Sequence, residues 1–424
     1  MKTGQLHKTG SPDLEFGLQG QLTLSQLNIP AEFEGTRLVK GLALQPDGKI
    51  IVGAELFNGV PGLHVYALMR LHDNGALDDT FATKGITSGS FLDGQHCGGE
   101  KVMVLPDGKL LLLGWTLYKD GWAHLVIARF DQEGNVDGGF GDRGQLVIEN
   151  TATSKLVKTS QSLSIDAEGK FWVTANYVDP QTSDHFSGSI FSINPDGDWN
   201  TDFNRTGRLD FKDTQRPFTT VNACLSQDGR LLIAGNTLQE GLDTAYVARL
   251  TSDGQLDDSF GDPQTRGMHT LRVNDKDCRF NDLDQRIDGS LACFGQCGTD
   301  LETESQGLLT LLTPDGKPDQ SFNEGNPLLT QLAQQSGTRW RCGYVQANGC
   351  MVALSGDSEL YLARVLPQGI PDKDFGNLGQ VKLDNADLGQ LPPFQLIKRS
   401  DNRILLSFNF EHLDGLGRID SYLG

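Results

Sequence analysis

The sequence predicts an all-β fold built as one ring of four-stranded sheets. Three observations predict it: a repeat of about sixty residues, a glycine turn that keeps its place from copy to copy, and a last copy whose missing end stands at the start of the chain. Glycine contributes 51 of the 424 residues, well above ordinary usage, so the chain is rich in turns. These glycines keep no three-residue period, which excludes collagen.

The recurring turn lies between two apolar runs, at residues 45–49 (QPDGK), 105–109 (LPDGK), 166–170 (DAEGK), 226–230 (SQDGR), 286–290 (RIDGS), 346–350 (QANGC) and 399–403 (RSDNR). Its glycine stands at 48, 108, 169, 229, 289 and 349, with Asn402 in the seventh place, in steps of 60, 61, 60, 60, 60 and 53. Asx-Gly turns between apolar runs favour hairpins. After each turn come an apolar strand (residues 50–54, 110–114 or 231–235), a variable loop, and a third strand running into a second turn (67–75, 128–134 or 248–254). A tail of the form Asp-x-x-Phe closes the copy: Asp78 with Phe81, Asp137 with Phe140, Asp257 with Phe260, Asp319 with Phe322 and Asp372 with Phe375, Asn200 replacing the Asp before Phe203. Most tails run on to a glycine and a fourth β segment such as 145–148 or 380–383. One up-and-down sheet of four strands per repeat is a propeller blade.

The seventh copy stops at residues 416–424, after its third strand and before any tail. Residues 11–20, with Asp13 and Phe16 at the tail spacing, and residues 21–25 after them, supply the missing tail and fourth strand. The last blade is then completed by the first strand, which removes exposed sheet edges. The expectation is one domain over 1–424, a seven-bladed propeller with blades at about 34–90, 91–150, 151–212, 213–272, 273–330, 331–384, and 385–424 plus 11–25, its closing contact between residues 11–25 and the strand around 416–420.

The PDGK turn, the A-R-L-x-x-D-G segment at 248–254 and the Asp-x-x-Phe-Gly tail resemble the bacterial delta-60 repeat family, most clearly in copies one, two and four. The resemblance weakens in copies three and five, where Ser192 and Leu311 stand in the place of Arg70, Arg129 and Arg249. It implies a β-propeller and no established activity.

Composition narrows the function. The net charge of −19 repels phosphate backbones, so nucleic acid is not an expected partner. No apolar run approaches the length of a membrane span, and residues 1–10 lack the apolar core of a secretory signal, so the expectation is a cytoplasmic protein or one exported without such a signal. The seven cysteines (97, 224, 278, 293, 297, 342 and 350) are odd in number and widely spread, and they read as buried thiols rather than a disulfide framework.

Residues that recur in every blade are expected to build the blade, and a functional site to use what differs. The tail Phe, the tail Asp and the third-strand Arg (Arg70, Arg129, Arg249, Arg364 and Arg418) therefore read as structural, the Arg pairing with the Asp. The PDGK turns match neither a P-loop nor an EF-hand and need no ligand. His64, His124 and His185, each shortly before a third strand, lie on blades that diverge, so they are not expected to share a metal ion. Trp115, Tyr118 and Trp122 crowd one second-to-third strand loop, an alternative contact for a sugar or a protein.

The best candidate site is the mouth of the central channel, reached by counting back eight and seven residues from each turn glycine. This gives Lys40, Glu100, Lys101, Asn222, Asp282 and Arg341, with Arg279 and Arg339 close by. The basic members are expected to attract a small anion or an acidic segment there. Glu100, Asn222 and Asp282 also resemble the oxygen ligands of calcium-dependent lactonase propellers, a site for Ca2+ or another divalent cation. Lys40 and Arg341 at the same level oppose a cation. The leading expectation is thus a non-catalytic binding or interaction scaffold without a cofactor, its partner another protein or a small anionic or sugar ligand, with no membrane involved. A metal-dependent lactonase-like hydrolase or a carbohydrate-binding or carbohydrate-active propeller is the alternative.

Overall fold

Short strands separated by glycine turns, the second strand of a repeat buried on both faces along nearly all of its length, as at Ile50–Asn58, Leu110–Leu117 and Leu291–Cys297, pair most simply as an antiparallel meander. The computed structural model describes residues 8–33, 35–150, 154–158, 160–178, 186–212, 218–299, 304–332, 337–356, 359–383, 390–399, 401–410 and 416–424. Its strands form one eight-stranded, one five-stranded and four four-stranded sheets, an all-β, propeller-like arrangement. Among the described residues there is no α-helix, only two 3-10 turns, and hence no helix long and apolar enough to cross a membrane.

The second repeat shows the pattern: Cys97–Val104, Leu110–Leu117, Ala123–Phe130 and Gln145–Ile148 pair in chain order. The fourth, fifth and sixth repeats do the same, and the third adds the two-residue strand Lys155–Leu156 beside Ser162–Ile165. The eight-stranded sheet joins the first-repeat strands Arg37–Leu44, Ile50–Asn58, Leu63–Leu71 and Ile86–Gly89 to the seventh-repeat strands through a single bridge, Arg37 to Leu416. The seventh-repeat strands are Gln390–Lys398, Arg403–Phe410 and Leu416–Leu423, and their fourth partner is the N-terminal Gln21–Thr23. Gln21 lies opposite Asp420 and Thr23 opposite Arg418, in the strand the split repeat points to.

The tail motif explains the turn lysine as well as the arginine. Asp78 is buried, and its carboxylate receives Arg70 Nε at 2.7 Å, Lys49 Nζ at 3.0 Å, and both the backbone N–H and the hydroxyl of Thr80. Burial works against that charge, but the hydrogen bonds from Thr80, Lys49 and Arg70 outweigh it and hold Asp78 well below the ordinary carboxylate range. The same set recurs as Asp137 with Arg129 and Lys109, and as Asp257 with Arg249 and Arg230. In the third repeat Asn200 donates to Ser192 Oγ at 3.0 Å, so both partners change together.

Two expectations need correcting. Arg418 is not the seventh counterpart of Arg70: Leu405, three residues beyond the turn position as Ile51 is, lies opposite Ser421, whose hydroxyl donates to Asp13 at 3.0 Å. Arg418 instead makes a buried pair with Asp420. The cysteines are not all free thiols either. Cys278 and Cys297, opposite one another on adjacent strands, form a disulfide, and the other five are buried and free.

Each tail Phe reaches the following repeat. Phe81 lies against Gly134, where a Cβ would stand 2.4 Å from its ring; with φ at +88° as well, only glycine fits there. The next residue, Ala82, donates its N–H to Glu133 O at 2.8 Å. Replacing Phe81 with Ala should therefore lower stability by about 3 to 5 kcal/mol in equilibrium denaturation, acting on two repeats at once. A second expectation follows from the pairing of Gln21–Thr23. Deleting residues 1–25 should lower the melting temperature of the whole transition; melting at the wild-type temperature counts against a structural role for this segment.

Candidate functional site

The first strand of several repeats carries one residue too many for its partner. Register shifts fall between Val39 and Gly41, Gly99 and Lys101, Phe280 and Asp282, and Trp340 and Cys342. The extra residues are Lys40, Glu100, Asn281 and Arg341, four of the positions obtained by counting back from the turn glycine. A bulge re-aims the side chain of its extra residue, so neighbouring repeats can direct such residues at each other.

Lys40 and Glu100 meet in this way. Lys40 Nζ lies 3.7 Å from Glu100 Oε1 and 3.5 Å from Glu55 Oε2, with Lys40, Glu100 and Glu55 all buried. His64 Nδ1 stands 2.9 Å from Glu55 Oε1, and His96 Nδ1 accepts the His64 backbone N–H at 3.1 Å. Lys158, from the loop before Ser162–Ile165, lays its ammonium 3.1 Å above the centre of the Trp115 ring. The result is a buried set of two carboxylates, one ammonium group and an indole, capped by the ammonium of the exposed residue Lys158.

The two glutamates differ in character. Burial pushes Glu55 up, but the His64 hydrogen bond and the Lys40, His64 and Lys158 charges overcome it and leave its pKa lowered. Glu100 is raised, because burial exceeds the help of Lys40 and Glu55 adds repulsion. Burial likewise lowers Lys158, against the pull of Glu55 and Glu100. Glu100 Oε1 and Trp115 Nε1 have no hydrogen-bond partner, a state buried polar atoms rarely keep unless something else meets them.

The remaining expected residues are committed differently. Asp282 accepts the N–H groups of Leu283 and, across the repeats, of Gly343, and Asp284 does the same with Gln285 and Val345. Burial pushes Asp282 up to about 6, with the charge of Lys101 and these N–H groups acting against it. Asn222 donates to Phe280 O at 2.8 Å, and Asn281 to Trp340 O at 2.9 Å. These side chains fasten one first strand to the next. Asn222 and Asp282 are therefore in use on the backbone, and among the described residues no group of three or more His, Cys, Asp or Glu is disposed to hold a metal ion. Arg341 Nε donates to Gly356 O at 3.3 Å, Arg339 is buried and donates to Thr299 O, and Arg279 lies opposite Gln296.

The loop aromatics part company. Trp115 is a buried strand residue under Lys158, Tyr118 donates to Glu149 and lies beside His124, and Trp122 is 38% exposed, with Lys155 Nζ 4.1 Å from its ring. His64 and His124 lie inside third strands rather than before them, and His185 is outside the described residues.

Glu55, His64 and Lys158 escaped the count-back rule, yet a signal for Glu55 exists. Seven residues after the turn position the repeats carry Glu55, Trp115, Asn176, Asn236, Gln296, Gly356 and Asn409. Asn176 and Asn409 there each bind both backbone groups of one residue in the next repeat, Val221 and Val39. Glu55, Trp115 and Gly356 are the three that carry no side-chain amide there, and the first two, on neighbouring repeats, frame the cluster.

A family model described as a domain of unknown function (DUF5122) beta-propeller matches residues 45–81, 105–140 and 226–260, within the first, second and fourth repeats. A search of curated proteins finds no match. Among solved structures the chain is similar to an alpha-L-arabinofuranosidase from Fusarium graminearum, at 11% identity over 98% of each chain with a TM-score of 0.48. It is also similar to an alpha-L-arabinanase from Penicillium chrysogenum (10% identity, 91% of this chain and 92% of that one, TM-score 0.46). A protein of unknown function from Dyadobacter fermentans gives 13% identity over 96% of this chain and all of the other, with a TM-score of 0.46.

The Asp282 environment gives a testable pH dependence. Its carboxyl is raised in the fold from 3.8 to about 6, so the charged form is penalised, and stability is lost as pH rises through that interval. Asp282→Asn removes that pH dependence, while giving up one of the two backbone N–H groups that the carboxylate accepts. Its stability relative to wild type should therefore rise between pH 4 and pH 7, by on the order of 3 kcal/mol, whatever the offset at pH 4. A difference that stays constant across that range overturns the assignment.

Proposed function

We propose that the protein is a seven-bladed β-propeller of delta-60-type repeats, closed by its N-terminal strand, and that it acts as a binding or interaction scaffold with its site at the channel mouth. Support for the ring comes from the first strands, each of which contacts the next from the first repeat to the seventh and back to the first. It comes also from the N-terminal tail, where Gly10 donates to Leu423 O, Asp13 to Ser421 O, and Gly376 to Thr9 O. Ser421 and Leu423 donate in return to Gly20 and Ser11.

One observation carries the binding reading. Buried charged and aromatic side chains from neighbouring repeats converge at Lys40, Glu55, Glu100 and Trp115 with hydrogen-bonding capacity left over, at the positions where the repeats cease to resemble one another. Lys40 is engaged by two carboxylates, which weakens the case for an anion at that point. Lys101, Arg279 and Arg341, from the second, fifth and sixth repeats, are the basic residues of the mouth in this reading, and a small anionic or sugar ligand or an acidic protein segment is the partner that fits them. The net charge of −19 works against a phosphate backbone as partner.

A thermal-shift screen of wild-type protein against small anions, sugars, amines and divalent cations tests this. Ligands of the mouth should raise the melting temperature, with the response lost in Glu100→Gln or in the Arg279→Glu, Arg341→Glu double variant. A response unchanged in all of these moves the site to the outer loops, with the segment from Trp115 to Trp122 next in line. A response confined to calcium or another divalent cation favours the lactonase-like alternative.

A further inference from the structure

We propose that the face of Trp115 with the carboxylates of Glu55 and Glu100 is a binding site for an organic ammonium group, and that Lys158 is its resident plug. This rests on the channel-mouth reading and gives that site a ligand class.

The site already holds an ammonium. Lys158 Nζ stands 3.1 Å from the centre of the Trp115 ring, well inside the range of cation–π attraction, with the charges of Glu55 and Glu100 acting on it. Glu55 and Glu100 share the one buried ammonium of Lys40, with His64 beside Glu55 and the charge of Lys101 acting on Glu100, and the pair draws the further ammonium of Lys158. Lys158 is a loop residue with an exposed body, unlike buried Lys40, and its ammonium is partly stripped of water. Turning it out to solvent opens the indole face and restores its hydration.

Space and unmade bonds point the same way. Gly98 has ordinary backbone angles, yet a Cβ on it would lie 2.6 Å from Glu55 Oε2 and 2.8 Å from Trp115 Nε1. Glycine here lets the Glu55 carboxylate and the Trp115 indole N–H close together against the backbone of residue 98, and a Cβ would displace both. The N–H of Trp115 and Glu100 Oε1 have no hydrogen-bond partner, Lys40 standing 3.7 Å from the latter, and a ligand with an ammonium donor and a neighbouring acceptor, such as an amino alcohol, can satisfy both. A divalent metal ion is a poorer fit, because it wants six or more oxygens and an aromatic face offers none.

Lys158→Ala in the full chain, probed with n-butylammonium chloride, tests the assignment, with equal sodium chloride as control. The variant should melt below wild type, and tens of millimolar butylammonium should raise its melting temperature by about 2 °C or more, wild type responding less. Quenching of tryptophan fluorescence by the amine should saturate in parallel. Glu100→Gln or Gly98→Ala, added to Lys158→Ala, should abolish the response, the first by removing the charge and the second by displacing Glu55 and Trp115. Lys158→Met should also fail to respond, because its side chain still covers the ring. No response to butylammonium in Lys158→Ala, or one equal in the Glu100→Gln double variant, overturns the ammonium assignment. If another ligand from the screen still shifts wild type and not Glu100→Gln, the mouth reading stands alone; if neither class of ligand acts there, both fall.

Discussion

A phenylalanine set against the glycine turn of the following repeat is the contact on which this chain depends. Phe81 meets Gly134, Phe140 meets Gly197, Phe203 meets Gly254, Phe260 meets Gly316 and Phe322 meets Gly369, while Phe16, from the N-terminus, meets Gly75. Beside each, the next residue donates its N–H to a carbonyl of the same turn, as Gly141 does to Asp196 and Gly261 to Asp315. In the first, second and fourth repeats the tail Asp fixes where that Phe starts and the third-strand Arg lies over its ring, 4.9 Å from the Phe81 centre at Arg70. Neither an apolar contact nor a hydrogen bond is large alone. Their repetition couples every sheet to its neighbour, so the sheets are not independent units, in keeping with the nearest-neighbour energetics of repeat architectures.

This outer lock leaves the first strands free to vary, and they divide into two kinds. Around the third, fourth, fifth and sixth repeats, side chains are spent on fastening backbone to backbone: Ser162 and Ser164 receive N–H groups of the fourth repeat, and Asp282 and Asp284 those of the sixth. At the first and second repeats, Glu55 and Trp115 hold the positions of linking amides and bind one another's neighbours rather than backbone. A buried charge cluster of this sort is seldom the most stable solution, since apolar residues of similar volume often do as well or better. Its place beside an intact framework is the departure from the repeat on which the proposed binding reading rests.

The repeated features were legible because each repeats for a single physical reason. Turn glycines, tail Asp and Phe, and the split last copy all point to the same strand order, and Gln21–Thr23 lies where that order puts it. Lys49 and its counterparts were visible as a motif, but their role as partners of the tail Asp depends on a fold that brings residue 49 beside residue 78. Arg418 misled for the opposite reason: its residue type fits the pattern, while strand register places Ser421 opposite Leu405. The cysteine pair escaped because parity and spacing along the chain do not reveal which residues face each other across two strands.

The site was half legible for a related reason. Counting from the turn located Lys40 and Glu100 because a bulge recurs at that count, and the same count gathered Asn222 and Asp282, whose side chains serve the backbone. Equivalent position in a repeat fixes where a side chain starts, not what it meets. Partners are set by the neighbouring repeat, and Glu55 and Lys158 enter the cluster from other strands and loops altogether. Departures from the repeat are therefore more informative in adjacent pairs than singly. Glu55 in place of a linking amide, a glycine at 98, and Trp115 one repeat on make sense only together, as three sides of one space.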